Sequence, residues 1–276
     1  MGLRSFLYFF LQPWIFLCLA TLHLPLTWLA IIRSGDYGAL LSPSRFKEKW
    51  FAVLWLTAGP LVRAESEPRV KPLLEGRVLR GCITKSAAST PLKGSVMEIG
   101  AGSGMWAHLF TSKTVDAVYA IEPNMQQHPA LLKRAEELGI RDKYHVVGKG
   151  VQDLKEGEQP QVDNIVTIFC FCSIPDPAEN AKAVYKFLKP GGRWYVYEHV
   201  AAHPKQGDFM RSYQKMINTI WPQFFNGCSL CRDTGRTIEQ AGDWAHVDLA
   251  MPVDEGWYAG IPHTIGILTK PGTMNG

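Results

Sequence analysis

A chain of 276 residues, 46% hydrophobic and 20% charged, is long enough for one substantial α/β domain with an appendage, or for two small domains, and is too apolar to be disordered. Its net charge of +4 suits a solvated surface or a face toward anionic lipid, and falls far short of the basic stripe of a dedicated nucleic-acid binder. Six cysteines in so long a chain exclude a small secreted disulfide scaffold.

From Phe6 to Ile32 there is no charged side chain. That exceeds the ~20 residues needed to cross a bilayer core. A cleaved signal peptide has an apolar region of only ~7–15 residues before a small-residue cleavage site, so residues 1–35 are expected to stay as a membrane-embedded helical segment. Pro13 and Pro25 interrupt it, because proline removes a backbone donor and crowds the preceding turn. A kinked span and a shallow hairpin both satisfy the pattern. Arg4 alone precedes the run, whereas Arg33, Arg45, Lys47 and Lys49 follow it, which places the C-terminal side in the cytosol. Position 6 is Phe where a myristoylation signal wants Ser or Thr.

Residues 36–94 read as an amphipathic helix and a connecting region. Arg45 to Pro60 predicts a helix capped by Ser42 or Ser44 and ended near Gly59-Pro60. It either packs on the domain or lies at the membrane interface with Trp50 and Trp55 at headgroup level. Residues 61–94, punctuated by Pro68, Pro72, Gly76, Gly81 and Pro91, predict a connection with one short helix at Val70–Leu79.

From residue 95 to 276 short apolar runs alternate with helical periodicity. Strands are predicted at Ser95–Ile99, Ala117–Ile121, Tyr144–Val147, Ile165–Phe169 and Trp194–Tyr197. Helices are predicted near Met105–Ser112, Pro129–Leu138 and Ala178–Leu188. Strictly alternating strands and helices argue a parallel, doubly wound α/β sheet whose ligands sit at the strands' C-terminal ends.

The first such end is Val96-Met97-Glu98-Ile99-Gly100-Ala101-Gly102-Ser103-Gly104. Glycines there admit positive φ and let a ligand approach the backbone. A dinucleotide fingerprint would need glycine at position 105, which is Met105. The second strand ends at Glu122, about 20 residues after the glycines, where a carboxylate can accept from both ribose hydroxyls. After the third strand, Gly150-Val151-Gln152-Asp153-Leu154 would flank an adenine ring.

These motifs, with LKPGGRWYVYEHV at the fifth strand, resemble a class I (Rossmann-type) S-adenosylmethionine-dependent methyltransferase over Val96 to Val200. Cys172-Ser173-Ile174, Glu198-His199-Val200, Trp221-Pro222, Gly227-Cys228 with Arg232, and Pro262-His263-Thr264-Ile265-Gly266 sharpen the likeness. Together they resemble the methyltransferase-like proteins anchored to the endoplasmic reticulum and lipid droplets, a family that includes alkyl thiol methyltransferases. The resemblance implies a Rossmann-like, mostly parallel seven-stranded sheet with S-adenosyl-L-methionine as cofactor. It implies that Glu98, Gly100, Gly102, Gly104 and Glu122 hold the methionine and ribose, and that Val151 and Gln152 sit by the adenine. The family's usual acid at the adenine side is replaced here, with Gly150 or Gln152 at the matching position.

Methyl transfer from a sulfonium is an in-line displacement, so alignment dominates and a base helps when the nucleophile must lose a proton. His199, just past the fifth strand, is the candidate catalytic base, or else a histidine that holds its loop. His263 is a weaker candidate, and Glu198 either orients His199 or binds backbone. Gly207–Phe225 is expected to form the substrate region, with Trp221, Phe224 and Phe225 lining an apolar pocket or packing a core.

Cys170, Cys172, Cys228 and Cys231 could supply a zinc site, but buried reduced thiols are the expected state and no metal is assigned. The expected activity is methylation of a lipophilic small molecule, most simply at a thiol. O- or N-methylation of a secondary metabolite or lipid, and a non-catalytic membrane-surface protein, are the alternatives. The expected partners are that substrate and membrane lipid, without nucleic acid.

Overall fold

The computed structural model describes residues 2–273. The chain opens with two apolar helices, α1 (Leu3–Leu22) and α2 (Leu24–Ser34), which meet at His23. Pro13 does not break α1, and the reason is tertiary. Its missing N–H frees the carbonyl of Phe9 one turn back, and the backbone N–H of Gly260 donates to that oxygen at 3.0 Å. The Tyr213 hydroxyl donates to the next carbonyl, Phe10, at 2.6 Å, and the Trp50 indole donates to Ala20 at 2.9 Å. One stripe of α1 (Pro13, Leu17, Ala20) is therefore buried on the protein, while Leu7, Leu11, Trp14 and Ile15 on the other side are exposed.

Next comes α3 (Pro43–Leu74), one continuous helix of 32 residues. It absorbs both the expected helix at 45–60 and the first part of the expected connection at 61–94, running through Pro60, Pro68 and Pro72. An interior proline costs a helix about 3 kcal/mol. Burying Trp50, Leu54, Val70, Leu73 and Leu74 along the helix returns roughly 1.5–3 kcal/mol for each side chain, enough in sum to offset the three local breakers. A two-residue hairpin follows, β1 (Val78–Leu79) with β2 (Cys82–Ile83).

The remaining elements are β3 (Gly94–Ile99), β4 (Val115–Ile121), α4 (His128–Glu137), β5 (Tyr144–Val147), β6 (Val162–Ile168), α5 (Pro177–Lys186) and β7 (Leu188–His199). They are followed by α6 (Gly207–Asn218), α7 (Trp221–Phe224), α8 (Thr234–Glu239), β8 (His246–Ala250) and β9 (His263–Thr269). The main sheet has seven strands in the order β5-β4-β3-β6-β7-β9-β8. The first five are parallel, and the last two run antiparallel to their neighbours. This is the Rossmann-like, mostly parallel sheet, with the order reversing at β3.

Each face of the sheet has its own core. On one, Val70, Leu73 and Leu74 of α3 pack with Trp106, Phe110 and Leu131; on the other, Ala181 and Val184 of α5 pack with Trp194 and Ile238. The helix expected at Met105–Ser112 is only a 3₁₀ turn, Ala107–Phe110, whose Ala107 and Phe110 share a core with Val70, Leu73 and Leu74 of α3. A third cluster joins Leu17 and Ala20 of α1 to Trp50 and Leu54 of α3 and to Met210, Ile217 and Trp221 of α6 and α7. The N-terminal segment is thus built into the same body as the sheet, over the C-terminal ends of the central strands.

Candidate active site

Two abutting cavities lie at those strand ends. The larger, ≈ 280 Å³, is walled by Gly100, Ala101, Gly102, Trp106, Glu122, Asn124, Gln127, Val151 and Gln152, among others. Two of its glycines have separate reasons. Gly100 has φ +73°, and a Cβ there would come within 2.5 Å of Cys170 Cβ, so the strand end can take no side chain. Gly102 has φ +55°, and nothing lies closer to its Cβ position than Trp55 at 3.7 Å; its bare backbone forms a cradle on the cavity wall.

Glu122 is buried at the end of β4. One carboxylate oxygen accepts from Gly102 N–H at 2.7 Å, the other from Asn124 N–H at 2.8 Å. Burial pushes its pKa up against those two N–H groups. Each oxygen keeps a lone pair for a ligand hydroxyl. Gln127 Oε1 and Trp106 Nε1 are buried and partnerless, an acceptor and a donor on the same wall. Unsatisfied buried polar atoms are rare unless a ligand completes them.

The other expected contacts sort themselves by position. Val151 is a buried wall residue, while the Gln152 amide donates to Asp153 at 2.9 Å. Glu98 lies behind the glycine turn rather than on the cavity surface. One of its oxygens accepts from the Tyr144 hydroxyl and the other has no partner; burial pushes this carboxyl up to about 8. Gly104 faces Leu131 and Arg134 of α4.

The smaller cavity, ≈ 110 Å³, shares Phe51, Trp55, Phe169 and Ser173 with the first. Its walls include Phe9 and Phe16 of α1, Trp221 and Phe225, a polar group made of Cys172, His199 and Cys228, and a second polar edge of Arg69, Glu255 and His263. Phe169, just past β6, has φ +56°, a conformation costing a non-glycine residue of order 1–3 kcal/mol and typical of functional sites. Its ring packs on Tyr197 and His263.

His199 is buried at the end of β7 with Nε2 3.1 Å from Cys228 Sγ, and its Nδ1 has no partner. Burial would lower its pKa, but the neighbouring Cys172 and Glu198 raise it. Glu198 does not touch that imidazole by a hydrogen bond. It accepts from Cys170 N–H, Phe171 N–H and the Cys170 thiol, fixing the turn after β6. Arg232 holds the same turn through the carbonyls of Phe171 and Ile174. His263, the cross-strand partner of His199, lines the same cavity within its own network. Its ring contacts Glu255 at 2.5 Å, and Arg69 donates to both Glu255 and Tyr197 at 3.1 Å. Burial alone would raise Glu255, but His263 and Arg69 hold it below its usual range.

Residues of α3 are the main addition to the expected site. Trp50 is buried with its indole on Ala20, and Trp55 faces both cavities, so neither stands at a membrane headgroup level. The only trace of this in the sequence is the i, i+4 spacing of Phe51 and Trp55, whose rings stack at 5.4 Å. Of the expected aromatic wall, Trp221 and Phe225 line the cavity while Phe224 packs on Trp50.

A methyltransferase-domain family profile matches residues 75–240. The chain belongs to this methyltransferase family. It is an enzyme, its cofactor is S-adenosylmethionine, and the non-catalytic reading falls away. The methyltransferase is 27% identical over 188 residues to thiol S-methyltransferase TMT1B of Rattus norvegicus, covering 67% of this chain and 75% of that protein. It is 26% identical over 181 residues to thiol S-methyltransferase TMT1A of Homo sapiens, covering 64% and 70%. Among solved structures, geranyl diphosphate methyltransferase in complex with S-adenosylmethionine superposes with a TM-score of 0.54 at 15% identity. That match covers 80% of this chain and 90% of the other, and it establishes the shared fold.

The larger cavity fits the cofactor: a bare glycine cradle, a carboxylate with free lone pairs, a buried apolar wall at Val151, and an unpaired donor and acceptor.

Proposed function

We propose that this methyltransferase methylates the sulfur of a lipophilic thiol that reaches the enzyme from a membrane. The observation that carries this reading is the smaller cavity. It opens beside the cofactor's, is walled by aromatic rings, and is roofed by the helix whose outer face is apolar and exposed. The thiol S-methyltransferase relatives support sulfur as the acceptor.

When bound, S-adenosylmethionine supplies an electrophilic methyl on a sulfonium. In this reading Glu122 takes the ribose hydroxyls, Val151 and Gln152 bracket the adenine, and Gln127 and Trp106 take the ammonium and carboxylate of the methionine. Glu98 acts from behind the turn. It is held by the Tyr144 hydroxyl rather than touching the ligand. Phe169 and Trp55 stand between the two cavities and fix the angle of approach, on which an in-line displacement depends. His199 is the polar group placed to receive the acceptor's proton. A thiol with a pKa near 8.5 asks less of that imidazole than a phenol near 10 would.

The same reading makes the protein monotopic. Hydrogen bonds at Phe9, Phe10 and Ala20 tie both halves of α1 to the domain. A helix docked along its length cannot cross a bilayer without dragging polar surface into hydrocarbon. The segment Leu3–Ser34 is long and apolar enough to span; in our reading it lies in one leaflet, with residues 36–276 on the cytosolic side. Attachment to a single leaflet is compatible with the endoplasmic reticulum and with the monolayer of a lipid droplet alike.

The test is purified full-length protein in nanodiscs, with labelled cofactor and a panel of alkyl thiols, phenols and sterols. Label is expected in thioethers, and His199→Ala should lose turnover while still binding the cofactor. Label confined to phenols, sterols or amines would replace this reading with O- or N-methylation of a lipid or secondary metabolite.

A further inference from the structure

Three soft donors converge on the wall of the smaller cavity. Cys172 Sγ, His199 and Cys228 Sγ offer ligand atoms that all lie within 4.8 Å of one another, and all three residues are buried. They come from three separate segments: the turn after β6, the end of β7 and the loop after α7. Chance neighbours along the chain therefore do not explain the cluster. The remaining thiols take no part. Cys170 donates to Glu198, and Cys231 lies half-buried elsewhere.

We infer that Cys172, His199 and Cys228 form a zinc site whose fourth position opens into the acceptor cavity and takes the substrate's sulfur as a thiolate. This rests on the thiol reading above.

Zn–S bonds of about 2.3 Å and Zn–N bonds of about 2.0–2.1 Å put neighbouring tetrahedral ligands roughly 3.3–3.8 Å apart. The observed cluster closes on an ion with small side-chain shifts. Thiolate and imidazole ligands select zinc over the hard cations magnesium and calcium. Two cysteines and one histidine leave the open position typical of catalytic rather than structural zinc. Charge also favours the site: two thiolates cancel the dication, so the loaded centre is neutral among Phe16, Trp221 and Phe225. The Trp221 indole already donates to Cys228 Sγ at 3.3 Å, a bond that strengthens when the sulfur is a thiolate.

The chemistry balances. Loading releases two thiol protons, from Cys172 and Cys228. An incoming R–SH gives up its proton to bulk water as its sulfur enters the fourth position, since a coordinating thiol is deprotonated outright. The sulfur's electron pair then forms the S–CH₃ bond as the sulfonium's C–S bond breaks. The products are a thioether, a far poorer ligand than a thiolate, and neutral S-adenosylhomocysteine. With the ion in place His199 serves as a ligand through Nε2, and no side-chain base is needed because the ion acidifies the bound thiol until water takes its proton.

The test starts with the metal. Full-length protein without a histidine tag, purified in detergent free of chelators from zinc-supplemented cells, should carry stoichiometric zinc by mass spectrometry. Cys172→Ser, Cys228→Ser and His199→Ala should lose it, and Cys231→Ser should keep it. S-adenosylmethionine binding serves as the check that each variant is folded. Cobalt(II) exchanged into the wild-type protein should show thiolate charge-transfer absorption and intense tetrahedral bands, and an added alkyl thiol should shift those bands. Wild-type protein that takes up neither metal, or folded Cys228→Ser that keeps its zinc, would overturn the site. Undiminished thiol methylation by metal-free protein would do the same while leaving the thiol reading and the base role of His199 standing. Loaded protein that shows the cobalt bands but methylates no thiol would instead sink the thiol reading and keep the site.

Discussion

Glu122 is the side chain on which the cofactor cavity depends most heavily, and removing it separates two effects. Glu122→Ala deletes the acceptor of two backbone N–H groups, at 2.7 and 2.8 Å, in a position only 7% exposed. Leaving a buried donor unsatisfied costs about 1–3 kcal/mol. The pair therefore predicts a loss of roughly 2–6 kcal/mol and, at ~2–4 °C per kcal/mol for a domain of this size, a fall in Tm of about 4–24 °C. The same change removes two acceptors from the ribose, worth about 3 kcal/mol together, which weakens S-adenosylmethionine roughly 10²-fold. Glu122→Gln keeps one acceptor but sets an amide N–H₂ against the other backbone donor. It should fall between wild type and alanine in both measurements. Thermal melts without ligand, and calorimetric titration with the cofactor well below the melting range, read the two separately. An alanine variant with wild-type Tm and cofactor affinity within twofold of wild type would refute the assignment.

Two further outcomes follow from the buried charges and the exposed helix. Glu98 is held near 8 in the fold, above the ordinary carboxyl range. The folded state therefore keeps a proton that the unfolded chain releases, and stability must fall as pH rises from about 4.5 to 8. Melts of cofactor-free protein across that window should show the decline and Glu98→Gln should lessen it, with buried Glu198, pushed up to about 7, supplying the rest; parallel curves would show that the Glu98 carboxyl is ionised throughout. On α1, Leu11→Lys with Ile15→Lys charges the exposed face, at up to about 2.5–3.5 kcal/mol per residue if that face lies deep in hydrocarbon. Flotation with liposomes should drop steeply while Tm stays put. Leu17→Ala on the buried stripe should do the opposite, keeping flotation and losing about 2–5 kcal/mol of stability. Equal flotation of the lysine variant and wild type would rule out the outer face as the membrane contact.

The parallel strands were legible because a strand buried on both faces reads as a short apolar run between turn signals, as in Ile165–Ile168. The glycine turn was legible because positive φ admits few residue types there, and Glu122 because it ends the next strand about 20 residues on. α3 was misread at its breakers. Pro60, Pro68 and Pro72 are local signals, and the buried Trp50, Leu54, Val70, Leu73 and Leu74 that offset them act through contacts distant in the chain. The sequence offered Cys170, Cys172, Cys228 and Cys231 as a possible metal set, yet the fold joins Cys228 to Cys172 and His199.

The N-terminal segment divides the same way. Composition alone made it apolar and long enough for a membrane, a property of summed transfer energies that needs no fold. Only the tertiary structure decided that one stripe of it roofs the acceptor cavity. Pro13 frees a carbonyl that Gly260, far along the chain, must satisfy, and no local pattern records which distant donor will meet an orphaned acceptor.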